Sequence, residues 1–213
     1  MARILITSGP TRQYLDPVRY LTNASSGRMG CALAEAALAL GHDVTVVSGP
    51  VGVTYPSAAE VVPVQTTDDL LAACQRLFPQ ADGLIGAAAP CDYRPVRVST
   101  EKITKTGAPL TLHLIETPDV VATLGATKGP HQWVVGFALE TEDQRFRALA
   151  KLEKKSCDLI VLNGPEAMNA AENTVEILDK SGGTVGTFQG AKEQVAAGIL
   201  RVIQNRLIRE SGS

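Results

Sequence analysis

Short apolar runs alternate with longer amphipathic stretches along most of this chain. "RILITS" (Arg3–Ser8) is an unbroken apolar run closed by Gly-Pro, the pattern of a strand buried on both faces. "GRMGCALAEAALALG" is rich in Ala and Leu and stops at Gly41, which predicts a helix with a glycine end. "DVTVVSGP" predicts a second strand, and a helical pattern covers Asp68 to Phe78. "GLIGAAA" (Gly83–Ala89) predicts a third strand, with residues small enough to let a ligand approach its end. Pro90 to Pro109 reads as a loop. "LTLHLI" alternates as a strand does. In "TPDVVATLG", Thr117 is placed as N-cap, Pro118 as the first helical residue and Asp119 in the first turn. "WVVGFAL" predicts a buried strand ending near Phe137 and Glu140. "TEDQRFRALAKLEKKS" predicts a helix with capping-box spacing between Thr141 and Gln144, and "DLIVLN" a further strand. Last come a hairpin turning at Ser-Gly-Gly in "TVEILDKSGGTVGTF" and a closing helix in "AKEQVAAGILRVIQNRLIRE".

Strands alternating with helices predict an α/β fold: a Rossmann-like, doubly wound, mostly parallel sheet with helices on both faces. The late hairpin adds an antiparallel C-terminal element. No repeat or low-complexity linker interrupts the pattern, so one domain over residues 1–213 is expected, with 210–213 as a disordered or extraneous tail.

Composition changes this picture little. The chain is 45% hydrophobic and 20% charged, with a formal net charge of -2, so no overall basic field argues for nucleic acid or an anionic membrane. The N-terminus lacks a signal-peptide pattern, and no apolar run is long enough to span a bilayer, so a cytoplasmic location is expected. Cys31, Cys74, Cys91 and Cys157 are scattered and form no C-x-x-C, which suits reduced thiols. His42, His113 and His131 are equally dispersed, and no metal ligands can be assigned.

Candidate chemistry begins at "LTNASSGRMG" (Leu21–Gly30). Ser25, Ser26 and Gly27 precede a helix whose first amide groups lack intrahelical partners, a natural anion site. Gly30 would let that helix pack close to a strand. Asn23 and Arg19 lie just upstream. The competing reading is that Ser26 simply caps the helix. Lys151 and Lys155 lie one helical turn apart. They repel unless an anion lies between them, or else they form a solvated basic face. Lys102 and Lys105 sit in a proline-flanked loop, either closing over phosphate or merely exposed.

A dinucleotide-binding oxidoreductase fits less well. About a dozen residues separate the first strand from the glycine-rich stretch, "VVSGPV" supplies no acidic ribose partner, and no Tyr-x-x-x-Lys is present. An NAD(P)-binding oxidoreductase and a nucleotide-binding regulatory module without turnover remain the alternatives. Phosphate-capable strand ends without an evident nucleophile favour nucleotide-driven group transfer, in which positioning and charge neutralisation do most of the work.

"TSGPTRQYLDPVRYLTNASSGRMG" closely resembles the opening of the phosphopantothenate–cysteine ligase (phosphopantothenoylcysteine synthetase) family. The likeness continues through "DYRP", "EKI", "TPDV", "VGFALET" and the lysine helix before "DLIVLN". It implies a ligase of coenzyme A biosynthesis, unrelated to the ATP-grasp enzymes. In that reaction CTP activates 4'-phosphopantothenate as an acyl-cytidylate with Mg2+, and L-cysteine then displaces CMP. It implies Asn23 and Lys102 as catalytic residues, with Arg19 and Asn23 on the substrate. It also implies Ser25, Ser26 and Gly27 on the triphosphate, Ala88 and Asp92 beside the nucleotide, and Pro118, Asp119, Val120, Val121 and Phe137 around the base. Lys151 and Lys155 are implied on the phosphate side. The resemblance further implies a homodimer with a shared site near "DPVRYLTN", and, without the flavin-dependent decarboxylase half of many bacterial relatives, ligation alone. Cys91, Leu139 and the segment after Asn163 depart from the family pattern.

Overall fold

Which face each strand residue takes decides the architecture. The computed structural model describes residues 1–139, 142–163 and 172–208. β1 (Arg3–Ser8) puts Ile4 and Ile6 on one face and Leu5 on the other. β6 (Gly83–Gly86) and β10 (Leu159–Asn163) alternate alike: Ile85 and Val161 share the first face, Leu84 and Ile160 the second. Strands apolar on both faces need helices on both.

Helix α1 (Arg28–Ala39) covers the first face with Ala32, Leu33, Ala34 and Ala37, beside α5 (Lys192–Arg206) with Val195, Ile199 and Ile203. Helices α2 (Thr67–Leu77), α3 (Val120–Thr127) and α4 (Gln144–Lys154) cover the second through Leu70, Leu124 and Leu152. Each large aliphatic buried in these layers contributes about 1.5–3 kcal/mol. Leu33→Ala, at a site without solvent access, would cost about 2–5 kcal/mol.

With β4 (Asp43–Ser48), β5 (Glu60–Pro63), β9 (Trp133–Leu139), β11 (Glu172–Asp179) and β12 (Thr184–Ala191), the sheet has eight strands in the order β12-β11-β10-β9-β6-β1-β4-β5. The pairs from β5 through β10 are parallel, whereas β10–β11 and β11–β12 are antiparallel. The expected doubly wound sheet and late hairpin are therefore present. From β1 the chain builds outward to β5, then returns to place β6 on the other side of β1. The switch point lies between β1 and β6, where open parallel sheets leave a crevice at the strands' carboxyl ends.

Two small sheets flank this crevice: β2 (Arg12–Tyr14) with β3 (Tyr20–Thr22), and β7 (Tyr93–Pro95) with β8 (Leu114–Glu116). The strand expected over Leu110–Ile115 is thus shorter and shifted, and Ala87–Ala89 leave the ladder after Gly86. The expected capping residue Thr141, the expected strand-end residue Glu140, most of the segment after Asn163 and the tail 210–213 lie outside the described residues. Helix α4 begins at Gln144, with Asp143 (φ 45°) in the cap position.

Candidate active site

The long first loop is built rather than slack. Its hairpin, β2–β3, is fastened by a buried polar cluster. Arg12 N donates to Gln65 O at 2.8 Å, and Gln13 Nε2 donates to Thr67 Oγ1 at 2.9 Å. Thr11 Oγ1 lies 2.8 Å from Thr67 Oγ1 and accepts from Cys91 N at 2.8 Å. The Cys91 carbonyl accepts from Thr67 Oγ1 at 3.2 Å and from Thr117 Oγ1 at 2.8 Å. Left unpaired, each of these buried polar groups would cost about 1–3 kcal/mol, so the cluster fixes the loop's register against β6's continuation and the start of α2.

The helix-α1 end of the crevice depends on two glycines. Gly27 occupies the N-cap position with φ 76°, and no side chain caps the helix. The possible capping role of Ser26 is therefore not taken: the serine is exposed, and Ser25 N turns back to Asn23 O at 2.9 Å. Gly30 meets the end of β1 so closely that a Cβ there would lie 2.1 Å from Ser8 Oγ and 2.5 Å from Ser8 Cβ. This contact holds the amide-rich first turn of α1 against the strand end, where it can receive an anion.

Asn23 spans the switch point. Its Nδ2 donates to Pro90 O at 2.8 Å, joining the loop after β1 to the segment after β6. Ala89 N donates to Gly9 O at 2.9 Å, and Ala88 N to Thr7 Oγ1 at 3.3 Å. Asp92 is exposed, and its carbonyl accepts from Thr117 N at 2.8 Å. Asn23, Ala88 and Asp92 are thus gathered along one crevice edge.

The cap of α3 differs from expectation. Thr117 is spent on Cys91, Pro118 lies before the helix, and Asp119 is the N-cap, accepting from Ala122 N at 3.0 Å. Asp119 also pairs with Lys155 Nζ at 3.1 Å. Lys155 thus faces a carboxylate rather than only Lys151, and the expected like-charge repulsion is relieved from within the chain. Val120 is buried in the core, while Val121 packs so near β6 that a Cβ on Gly86 would lie 2.6 Å from Val121 Cγ2. Phe137 borders the α1–α5 core, on the opposite face of the sheet from Val120 and Val121. The residues expected around the base thus pack on both faces of the sheet.

Arg19 does not simply reach toward Asn23. Its Nη1 donates to Asp16 Oδ2 at 2.6 Å and to Ile103 O at 2.9 Å. Asp16 is fully buried and also accepts from Val18 N, Arg19 N and Ile103 N. Burial alone would raise its carboxyl; the backbone bonds from Val18, Ile103 and Arg19 and the Arg19 side chain outweigh this and hold it at about 2. Lys102 is exposed and adjoins the anchored Ile103. Sequence reasoning missed Asp16; an Asp before Pro signals at most a bend, not a distant partner.

Three buried thiols are held in their protonated, weakly nucleophilic form. Burial pushes Cys74 to about 12 and Cys157 to about 11, and raises Cys31. Among the described residues, no group of three or more His, Cys, Asp or Glu could hold a metal, and no helix is long and apolar enough to cross a membrane.

A glycine-held helix end, an amide at the switch point and a loop hairpin beside the crevice define an open, doubly wound α/β domain. More particularly, the chain belongs to the family described as DNA/pantothenate metabolism flavoprotein C-terminal domain, which matches residues 1–207. It is 37% identical over 211 residues to the Coenzyme A biosynthesis bifunctional protein CoaBC of Vibrio cholerae, covering 96% of this chain and 53% of that protein. It is 40% identical over 207 residues to a protein named Cysteine/Cysteine sulfinic acid decarboxylase from an unknown prokaryotic organism, covering 94% of this chain and 57% of that one. The chain therefore spans about half the length of these relatives. The crystal structure of the C-terminal domain of Coenzyme A biosynthesis bifunctional protein CoaBC matches with TM-score 0.81 and 36% identity, over 97% of this chain and 95% of that one. The likeness to the phosphopantothenate–cysteine ligase family and the expected fold both stand.

Proposed function

We propose that this chain is a phosphopantothenate–cysteine ligase domain that uses CTP. The observation that carries this reading is the crevice between β1 and β6. There Asn23 bridges the two strand-end loops at 2.8 Å, and Gly30 seats the first turn of α1 against Ser8. The match over 95% of a CoaBC C-terminal domain supports it.

In this reading the triphosphate lies against Ser25, Ser26, Gly27 and the first amides of α1. The carboxylate oxygen of 4'-phosphopantothenate attacks the α-phosphorus. An acyl–O–P bond forms, the bond to the β-phosphate breaks, and pyrophosphate leaves. The amine of L-cysteine then attacks the acyl carbon, releasing CMP, and the amine's proton passes to solvent. Charge grows on the phosphoryl oxygens during the first step, so Lys102, Lys151, Lys155 and the helix amides act where it develops. Asn23 orients the acyl group beside the switch point, and Arg19 borders the substrate arm. Magnesium would neutralise charge on the phosphates; the exposed carboxylate of Asp92, on the crevice edge, would be a protein oxygen able to hold it, with water completing its shell. Val18, Tyr93, Val96, Val98, Leu114 and Ile115, on and beside the two small sheets, are exposed apolar positions that a second copy of this chain would cover. A cytoplasmic homodimer is the working assembly.

An oxidoreductase reading gains nothing from the structure: β4 ends at Ser48, whose hydroxyl donates to Gly49 O at 2.8 Å, where a ribose-binding carboxylate would be needed. The test incubates the protein with 4'-phosphopantothenate, cysteine and either CTP or ATP, following pyrophosphate and product mass. CTP should support turnover well above ATP, and Asn23→Asp should leave acyl-cytidylate unconverted. Pyrophosphate release absent with every nucleotide would reject the ligase assignment; equal rates would reject the CTP preference.

A further inference from the structure

Residues 101–112 form an exposed excursion between the two small sheets in which Ile103 is the one residue not fully exposed. Both backbone groups of Ile103 are held by the turn between β2 and β3: its N–H donates to Asp16 Oδ2 at 3.1 Å, and its carbonyl accepts from Arg19 Nη1 at 2.9 Å. Asp16 is the keystone of that turn, because it also binds Arg19 through backbone and guanidinium and Val18 through its amide. Ser99 N reinforces the junction by donating to Leu15 O at 2.9 Å. Lys102 therefore leaves the protein from a fixed point between two ties, while Thr104 onward is exposed.

We infer that Asp16 is a positioning residue for Lys102, anchoring the lysine's segment to the hairpin that carries Asn23. Arg19 serves the same junction from the other side of the Ile103 peptide. A fully buried carboxylate fed by donors is an expensive feature for a surface turn that only needs to reverse direction. Its reach across 87 residues of sequence to Ile103 gives it a purpose, since a lysine that neutralises charge at the α-phosphorus must return to one place. This inference rests on the ligase reading for the role of Lys102, though the tether itself can be measured without it.

Two measurements test the inference. Single-turnover formation of acyl-cytidylate is compared in the unaltered protein, Asp16→Asn, Lys102→Gln and the double variant. Asp16→Asn should slow formation about ten- to a hundredfold with little change in CTP affinity. In the Lys102→Gln background it should add less than about twofold, since a residue acting through Lys102 has nothing left to act on. Multiplying losses, or an unchanged rate in folded Asp16→Asn, would overturn the proposal. Hydrogen exchange is then read at the Ile103 amide. Asp16→Asn should speed exchange there while β1 and β9 amides keep their protection, and unaltered exchange would overturn the tether even if no nucleotide turns over. Ile103→Pro deletes the donor while sparing Asp16 and should reproduce the kinetic defect; normal kinetics in that variant would also overturn the proposal.

Discussion

Gly30→Ala is a small change with a calculable consequence. The added Cβ would lie 2.1 Å from Ser8 Oγ, 2.5 Å from Ser8 Cβ and 3.3 Å from Ser8 Cα. The hydroxyl can rotate away, but the Cβ and Cα cannot. Ser8 pairs with Ser48 in the sheet, and its carbonyl accepts from Gly49 N at 2.9 Å. Helix and strand must separate by about an ångström to restore ordinary contact, which costs about 3 kcal/mol at the upper end for overpacking. The gain in helix propensity from glycine to alanine offsets about 1 kcal/mol. The net loss of about 2 kcal/mol corresponds to a Tm lower by about 4–8 °C for a chain of this size, read by differential scanning calorimetry. Ser8→Gly removes the Oγ and Cβ, the two atoms that would lie within about 3 Å, so in the double variant the two substitutions should couple favourably by about 1 kcal/mol or more. CTP affinity should fall in Gly30→Ala because the first turn of α1 is displaced from the strand end. A Tm equal to or above that of the unaltered protein, or additivity with Ser8→Gly, would refute the close-packing argument.

Other perturbations probe separate parts of the structure. Asp16 has a folded-state carboxyl at about 2 against an ordinary 3.8, so its stabilisation is complete above that ordinary value and is lost as pH falls from there through about 2. The urea-midpoint gap between the unaltered protein and Asp16→Asn should therefore narrow over that window; a constant gap would contradict it. Asp158 is held below the usual range because bonds from Lys128, Lys180 and Val134 N outweigh the effect of burial. Asp158→Asn should cost about 2–3 kcal/mol in urea denaturation while leaving CTP affinity unchanged. Lys155→Ala should weaken CTP binding more than CMP binding by isothermal titration, and Asp119→Ala, which loses a helix cap, should cost about 1 kcal/mol in stability.

Strands β1, β4, β9 and β10 and helices α1 and α5 were legible because their apolar periods are long and uninterrupted. β5 was not: Glu60–Pro63 is a mostly exposed edge strand that buries too little to leave a pattern. The α3 start shows tertiary context overriding a local signal. Thr117 has the chemistry of an N-cap, but its hydroxyl finds the Cys91 carbonyl, and Asp119 closes the helix instead. At the crevice, Gly27 and Gly30 carried their meaning in sequence because only a residue without a side chain fits there. The Asp16–Ile103 tie and the Asp119–Lys155 pair were invisible, since spacing along the chain says nothing about partners that folding brings together from distant segments. Spacing along the chain likewise does not reveal that Phe137 packs on the other face of the sheet from Val120 and Val121.

The central claim is that one crevice, between β1 and β6, receives a nucleoside triphosphate with its phosphates on the first turn of α1. A crystal structure of this protein with CTP tests it most directly. The account requires the phosphates within hydrogen-bond distance of Ser25, Ser26 and the amides from Gly27 to Gly30, and the α-phosphorus beside Asn23. CTP bound elsewhere, with that helix end occupied only by solvent, would contradict it.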